Sequence, residues 1–153
     1  MAIVGHSKGA NVVLLYASKY HDIKTVANLS GRYDLKAGLE DRLGKDFIER
    51  IRKEGFIELK TKSGSVDYRI TEESLKDRLS INMHEACQQI DKECRFLTVH
   101  GDADTIIPVG DALEFFEGNF CKGTSLMLVR SLMNLSMHYA ILHITWWYIS
   151  EHC

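Results

Sequence analysis

The feature that most constrains the fold is the change of hydrophobic pattern on either side of Ser7. Residues 1–4 form a short apolar run that stops at Gly5, which predicts a buried strand of a parallel sheet. From Lys8 onward, apolar and small residues recur at three- and four-residue steps, which predicts a helix. The apolar run Thr25–Leu29 predicts a second buried strand. Strand, tight turn, helix and strand in this order form the repeating unit of an α/β fold with a parallel sheet.

The middle of the sequence, about residues 34–92, predicts an insertion over one edge of this sheet. Large apolar side chains stand at every fourth position between 35 and 51, which indicates one amphipathic helix or two. Phe56–Lys60 and residues 66–70 flank a Lys-Ser-Gly-Ser turn and predict a hairpin. Thr71 is the predicted N-cap of the next helix, with Glu73 or Ser74 in its first turn, and a further helix is expected at about residues 83–90.

The parallel core is expected to resume after this insertion and to end at about residue 118. Residues 96–100 predict a buried strand, and residues 110–116 predict a helix. From 119 onward the apolar pattern fits neither the period of a helix nor that of a strand. We therefore expect a partial domain at 1–118 and a divergent tail at 119–153. Residues 126–149 are long enough to span a bilayer, but four polar residues would oppose insertion, so a membrane segment is the less favoured interpretation. These are Arg130, Asn134, His138 and His143.

Composition gives no reason to expect several classes of partner. Nineteen basic side chains oppose 21 acidic ones, so the net charge of -2 gives no reason to expect nucleic acid or an anionic membrane surface. The four cysteines lie too far apart for a CxxC metal or redox motif, and we expect no metal and no cofactor. Residues 1–4 lack a basic leader, so no secretory signal is predicted, and reduced thiols in the cytoplasm are expected.

The Gly-His-Ser-Lys-Gly sequence around Ser7 carries the clearest chemistry. A G-x-S-x-G pattern between a strand and a helix predicts a strained turn that lifts the serine hydroxyl to the carboxyl end of the sheet. The backbone N–H of Lys8 would then point at a developing oxyanion. The alternative is a serine in a glycine-rich turn with a steric role only. The strand and helix on either side favour a nucleophile.

A nucleophilic serine needs a base, and the base needs an orienting acid. Asp104 is the preferred acid because it follows a predicted strand and comes after Ser7, and Asp102 is the alternative. His138 is the candidate base by its spacing of 34 residues from Asp104, although it lies in an apolar stretch that also fits a packed histidine. His143 and His152 remain open as bases. Two further histidines, His6 and His100, are interpreted as supporting or structural.

Several segments resemble plant α/β-hydrolases of the serine aminopeptidase-like group, whose members are described as esterases, lipases or embryogenesis-associated-like proteins. They are the elbow with its helix, the segments at 28–33, 43–47 and 68–75, and the acid loop at 97–109. The last three read Leu-Gly-Lys-Asp-Phe, Tyr-Arg-Ile-Thr-Glu-Glu-Ser-Leu and Leu-Thr-Val-His-Gly-Asp-Ala-Asp-Thr-Ile-Ile-Pro-Val. The resemblance spans about residues 1–116. It implies an α/β-hydrolase fold in which 34–92 form a cap and Asp104, not Asp102, is the acid.

The resemblance also implies strands before the elbow, a second oxyanion donor and a loop bearing the catalytic histidine, none of which this sequence matches. We therefore interpret the chain as an amino-terminally truncated member with an aberrant tail. The expected activity is hydrolysis of a small acyl ester, thioester or amide through an acyl-Ser7 intermediate. The alternative is a non-catalytic isoform that binds a ligand or a partner.

Overall fold

The computed structural model describes residues 1–61 and 63–130. Six strands and six helices follow one another along this part of the chain. In chain order they are β1 Ala2–His6, α1 Lys8–Tyr20, β2 Thr25–Leu29, α2 Leu39–Leu43, α3 Phe47–Glu54, β3 Phe56–Lys60, β4 Val66–Thr71, α4 Glu72–Ser80, α5 Met83–Gln88, β5 Arg95–Gly101, α6 Val109–Glu117 and β6 Gly123–Val129.

The main sheet confirms the predicted α/β class. Its four strands are all parallel and lie in the order β1-β2-β5-β6. The central strand β2 is buried along its whole length, whereas β1 lies at the edge of the described sheet, with Val4 41% exposed. The predicted strand at residues 1–4 is therefore present, but it is less buried than a central parallel strand.

Helix α1 connects β1 to β2 and packs on both of them. Its buried residues Ala10, Leu14 and Ala17 recur at three- and four-residue steps, as the sequence pattern predicted. The helix ends where His21 adopts a left-handed conformation with φ of 53°. This crossover places the start of α1 at the carboxyl end of β1.

The sheet has an apolar core on each face. Ala27, Leu29, Leu97 and Val99 form one cluster, against which Met127 and Val129 pack. On the other face, the ring of Phe96 lies 6.2 Å from that of Phe115 in α6 and 6.1 Å from that of Phe120, measured between centroids. All three rings are buried, and each contributes about 1.5–3 kcal/mol of hydrophobic stabilisation.

Strand β6 lies beyond residue 118, where the partial domain is expected to end. Gly123–Val129 pairs in parallel with the whole of β5, so the core sheet continues beyond the predicted boundary. The second half of β6 is apolar and is followed by a further apolar run in the sequence. For this reason the pattern of the strand could not be distinguished from that of its surroundings. Residues 131–153 lie outside the described part of the chain. Across residues 1–61 and 63–130, no helix has the length and apolar character needed to cross a membrane.

A second compact unit is formed by Asp34–Asn82. Its start matches the predicted insertion, but its end falls ten residues before the expected 92, because α5 belongs to the first unit. The predicted four-residue period is confirmed as two helices, α2 and α3, with Gly44 at a φ of 91° between them. Their buried core contains Leu39, Leu43, Phe47, Ile51, Ile57 and Leu75. A role for this unit as a cap stays a prediction.

The predicted hairpin and helix cap are both present in this second unit. Strands β3 and β4 pair antiparallel. Thr71 caps α4 with a reciprocal capping box: its Oγ1 accepts the Ser74 N–H at 3.1 Å, and the Ser74 Oγ accepts the Thr71 N–H at 3.0 Å. The sequence placed Glu73 or Ser74 in the first turn of this helix, and in the structure Ser74 is the capping-box partner of Thr71.

Candidate active site

Ser7 has the backbone conformation expected of a nucleophile elbow. Its φ of 54° and ψ of -123° lie in a region that residues with a Cβ rarely adopt. Such a conformation costs about 1–3 kcal/mol and persists only where the surroundings enforce it. Here the Ser7 N–H donates to the carbonyl oxygen of Leu29 at 2.8 Å, and the Ser7 carbonyl accepts from Ala10 N–H at 3.0 Å. The turn is therefore fixed to both β2 and α1.

Gly5 makes the close approach of strand and helix possible. A Cβ added to Gly5 would lie 2.2 Å from the carbonyl oxygen of Gly9 and 2.7 Å from the Cα of Ala10. Backbone atoms at this distance cannot move aside cheaply, so only glycine fits at position 5. A Cβ on Gly9 would meet nothing within 4 Å among the described residues. The two glycines of the motif are thus unequal, which the sequence did not reveal.

The start of α1 favours negative charge beside Ser7. The first turn contains no acidic residue, and the Ser7 side chain makes no capping hydrogen bond. The first N–H groups of a helix carry partial positive charge and lack partners within the helix. Lys8 supplies the first of these N–H groups, so an oxyanion formed at Ser7 would lie at the positive end of the helix.

The ends of three parallel strands meet at one edge of the sheet. Just beyond these ends, Ser7 N–H donates to Leu29 O at 2.8 Å, Ser30 N–H to Val99 O at 2.9 Å, and Asp102 N–H to Val129 O at 3.1 Å. Strand β1, which precedes Ser7, and strand β5, which precedes Asp104, have only β2 between them. They therefore lie roughly 10 Å apart. An imidazole placed between these loops could hydrogen-bond both a serine and a carboxylate.

Asp104 organises the loop that follows β5. Its Oδ1 accepts two backbone hydrogen bonds, from Ile106 N–H at 2.9 Å and from Ile107 N–H at 3.0 Å. Its side chain is 15% exposed, and its second oxygen, Oδ2, lies 3.8 Å from the Nε2 of His100. Two charge-assisted bonds to one oxygen fix the carboxylate in place. Asp102 is exposed in the same loop.

His100 lies fully buried at the end of β5, close to Asp104. Its Nε2 is 2.9 Å from the carbonyl oxygen of Ile107, and because a carbonyl only accepts, Nε2 carries the hydrogen. Its Nδ1 has no hydrogen-bond partner among the described residues, and the same is true of the buried Oγ of Ser30. The interpretation of His100 as a supporting residue agrees with this geometry. The interpretation of His6, which is exposed, is not decided by it.

The candidate bases His138, His143 and His152 lie outside the described residues, so the structure does not test the choice of base. It does bring Ser7, Lys8 and the Asp104 loop to the same end of the sheet.

For metals, no cluster of three or more His, Cys, Asp or Glu side chains suited to an ion occurs in residues 1–61 and 63–130.

Asn11 and Arg32 link α1 to the Asp104 loop, and sequence reasoning missed both of them. The Asn11 side chain, on the buried face of α1, donates from Nδ2 to Arg32 O at 2.6 Å, and its Oδ1 accepts Arg32 N–H at 3.2 Å. The Arg32 guanidinium donates to the carbonyl oxygen of Ile106 at 2.7 Å. A polar residue at a position that the helical period assigns to the core was the one available signal for Asn11.

Comparison with solved structures identifies the fold. The chain is similar to the α/β hydrolase GrgF from Penicillium sp. sh18, with 18% identity and a TM-score of 0.73 over 99% of this chain and 63% of GrgF. Mouse alpha/beta hydrolase domain-containing protein 10 has 19% identity and a TM-score of 0.65 over 98% and 60% of the two chains. Est1E from Butyrivibrio proteoclasticus, solved with ferulic acid bound, has 18% identity and a TM-score of 0.64 over 96% and 57%.

At these identities the likeness shows the fold, which is the α/β-hydrolase fold. The chain spans about three fifths of the length of these three proteins. No protein-family model matches the sequence. A search of curated proteins also returned no match.

Proposed function

We propose that this chain carries the catalytic serine and acid of a serine hydrolase, with Ser7 as nucleophile, Asp104 as acid and His138 as base. The observation that carries the proposal is the strained backbone of Ser7 at the carboxyl end of a parallel strand, directly before a helix. A strained serine in this position exposes its hydroxyl above the sheet. The anchored carboxylate of Asp104 two strands away supplies the orienting acid.

The reaction follows from these positions. His138 accepts the proton of the Ser7 hydroxyl while Oγ attacks the substrate's carbonyl carbon, and the carbonyl oxygen becomes an oxyanion. The N–H of Lys8 stabilises that charge. The tetrahedral intermediate collapses, the leaving alkoxide, thiolate or amine takes the proton from His138, and an acyl-Ser7 ester remains. A water molecule, deprotonated by His138, then hydrolyses this ester and restores the free serine.

The substrate proposed is a small carboxylic ester, thioester or amide. One structural relative, Est1E, was solved with ferulic acid bound, and several others are described as esterases or lipases. These names support an acyl substrate of small size. The described cysteines Cys87, Cys94 and Cys121 are free thiols, which supports a reducing, cytoplasmic location.

A fluorophosphonate probe tests the proposal, because it phosphonylates an activated serine irreversibly. We expect labelling of the full chain at Ser7, located by peptide mass spectrometry, and loss of labelling in Ser7→Ala. His138→Gln should reduce the rate by a factor of about 1000 or more, since the base is removed. His143→Gln and His152→Gln are the matched controls, and the variant with the largest loss identifies the base.

Absence of labelling in a folded chain would contradict the proposal. Cooperative unfolding by circular dichroism establishes that the unlabelled sample is folded. That result would favour the non-catalytic alternative, a protein that binds an acyl ligand or a partner without turnover.

A further inference from the structure

We infer that Arg32 is a positioning residue for Asp104, acting through the peptide group between Ile106 and Ile107. The inference rests on the proposed function for its catalytic meaning. The geometry on which it depends belongs to the loop itself.

One peptide plane connects the two side chains. The carbonyl oxygen of Ile106 and the N–H of Ile107 are the two ends of the same rigid peptide unit. The Arg32 guanidinium donates to the oxygen at 2.7 Å, and the Oδ1 of Asp104 accepts the N–H at 3.0 Å. A cation at the oxygen end polarises the peptide and strengthens its N–H as a donor to the carboxylate. Arg32 therefore both orients this peptide and reinforces its bond to Asp104.

The neighbouring groups leave this peptide little freedom to rotate. The preceding N–H, that of Ile106, also donates to Asp104 Oδ1 at 2.9 Å. The following carbonyl, that of Ile107, accepts from the Nε2 of buried His100 at 2.9 Å, and Pro108 fixes the next φ. Arg32 is the member of this set that comes from outside both β5 and the loop that follows it. Its removal should therefore loosen the loop without removing the loop's own bonds.

The position of Arg32 is itself set by the nucleophile helix. The Asn11 amide holds both the N–H and the carbonyl of Arg32, so the Arg32 backbone follows α1. Ser7 is the N-cap of that same helix. The chain of contacts from Ser7 through α1, Asn11 and Arg32 to Asp104 thus fixes the nucleophile and the acid relative to each other. This arrangement assigns Arg32 a role in maintaining catalytic geometry, without contact with the reacting atoms.

The experiment compares Arg32→Met and Arg32→Lys in the full chain, with Arg95→Met as a matched control. Arg95 is an exposed arginine at the opposite end of β5 from the acid loop. Two readouts are taken: amide hydrogen exchange at Ile107 by NMR, and the concentration dependence of fluorophosphonate labelling. The first reports the loop directly and requires no activity. The second separates the maximal labelling rate from the affinity for the probe.

We expect Arg32→Met to accelerate exchange at Ile107 by about tenfold, the effect of losing a hydrogen bond to a charged group. Exchange at Leu97 in the core of β5 should stay as in the unsubstituted chain. The maximal labelling rate should fall by about tenfold with unchanged probe affinity. Arg32→Lys, which retains a cationic donor, should recover part of both effects, and Arg95→Met should show neither.

Unchanged exchange at Ile107 in Arg32→Met would overturn the inference, as would faster exchange with an unchanged labelling rate. A loss of probe affinity alone would also overturn it, because that result assigns Arg32 to ligand binding. If the unsubstituted chain is not labelled, the proposed function fails, and exchange at Ile107 then decides alone whether Arg32 holds the loop. If Arg32→Met does not fold, Arg32→Lys is compared with the unsubstituted chain by the same two readouts.

Discussion

Gly5 and Gly9 lie so close that a Cβ on the first would stand 2.2 Å from the carbonyl oxygen of the second. β1 and α1 approach each other here, on either side of Ser7. The contact involves backbone on both sides, so neither partner can relax by a change of rotamer. Its consequence for stability is directly testable.

We expect Gly5→Ala to lower the free energy of unfolding by about 2 kcal/mol or more, since the added methyl must displace backbone. Gly9→Ala is the matched control, because its Cβ meets nothing within 4 Å among the described residues. It should be neutral or stabilising by up to about 1 kcal/mol, as glycine is a poor helix former. Urea unfolding monitored by circular dichroism measures both. Equal losses in the two variants would show that the crossing is not the cause.

The strained backbone of Ser7 is expected to lower the free energy of unfolding of the protein. Ser7→Gly and Ser7→Ala both remove the hydroxyl and should both abolish labelling. Only glycine relieves the positive φ of 54°, so Ser7→Gly should be more stable than Ser7→Ala by about 1 kcal/mol. Thermal unfolding of the two variants provides the comparison. A Ser7→Ala variant at least as stable as Ser7→Gly would argue against a strained elbow.

Asp104→Asn separates the structural and chemical roles of this side chain. Asparagine keeps an oxygen that can accept from Ile106 and Ile107, so the free energy of unfolding should change by less than about 1 kcal/mol. It cannot stabilise a protonated imidazole, so the labelling rate should fall by roughly a factor of 1000 to 10,000. Asp104→Ala should lose labelling and also about 2 kcal/mol, because two charge-assisted hydrogen bonds disappear.

Asp102→Asn is the control for this comparison and should retain most of the labelling. A larger loss in Asp102→Asn than in Asp104→Asn would reverse the choice of acid. Fluorophosphonate labelling rates and urea unfolding measure the two effects separately.

The capping box of α4 gives a prediction for the second unit. Thr71→Ala removes the oxygen that accepts the Ser74 N–H and should destabilise the helix by about 1 kcal/mol. Exchange of the Ser74 amide should accelerate by about fivefold, as measured by NMR. Ser80→Ala at the other end of α4 is the control. Its hydroxyl donates to a carbonyl within the same helix, a contact of small net value. A comparable acceleration at Ser74 in Ser80→Ala would contradict the assigned cap.

The buried thiols predict loss of stability at alkaline pH. Burial raises the pKa of Cys121 to about 11, and burial also raises the pKa of Cys87 above its ordinary value. The unfolded chain releases these protons from about pH 9, whereas the folded chain retains them. The two thiols therefore make their full contribution to the free energy of unfolding below pH 8, and this contribution is lost as pH rises from about 9 to 11.

Urea unfolding between pH 7.5 and 10.5 measures this slope. The double variant Cys87→Ala, Cys121→Ala should show a flatter dependence than the unsubstituted chain, even though its stability at pH 7.5 is lower. Cys87→Ala and Cys121→Ala measured singly assign the slope to each thiol. An identical slope with and without the two thiols would contradict the prediction.

The sequence predicted the elements whose own residues decide them. The helical period of Ala10, Leu14 and Ala17 indicated α1, and the turn between β3 and β4 indicated a hairpin, because both patterns are local. Strand β6 was missed since its pattern merges with the apolar run beyond it, and its partner β5 starts 28 positions earlier in the chain. The second unit ends at 82, whereas the insertion was expected to end at about 92, because α5 packs on α1 of the first unit.

For the site, the sequence by itself determined that Ser7 lies in a turn between strand and helix, and that Asp104 follows a strand. Short spacing and residue type are sufficient for both. The tertiary structure alone decided that Gly5 rather than Gly9 is sterically required, and that Asn11 and Arg32 connect α1 to the loop that follows β5. These contacts join residues 21 and 74 positions apart. No local pattern records them, because they form only when parallel strands bring distant loops to one edge of the sheet.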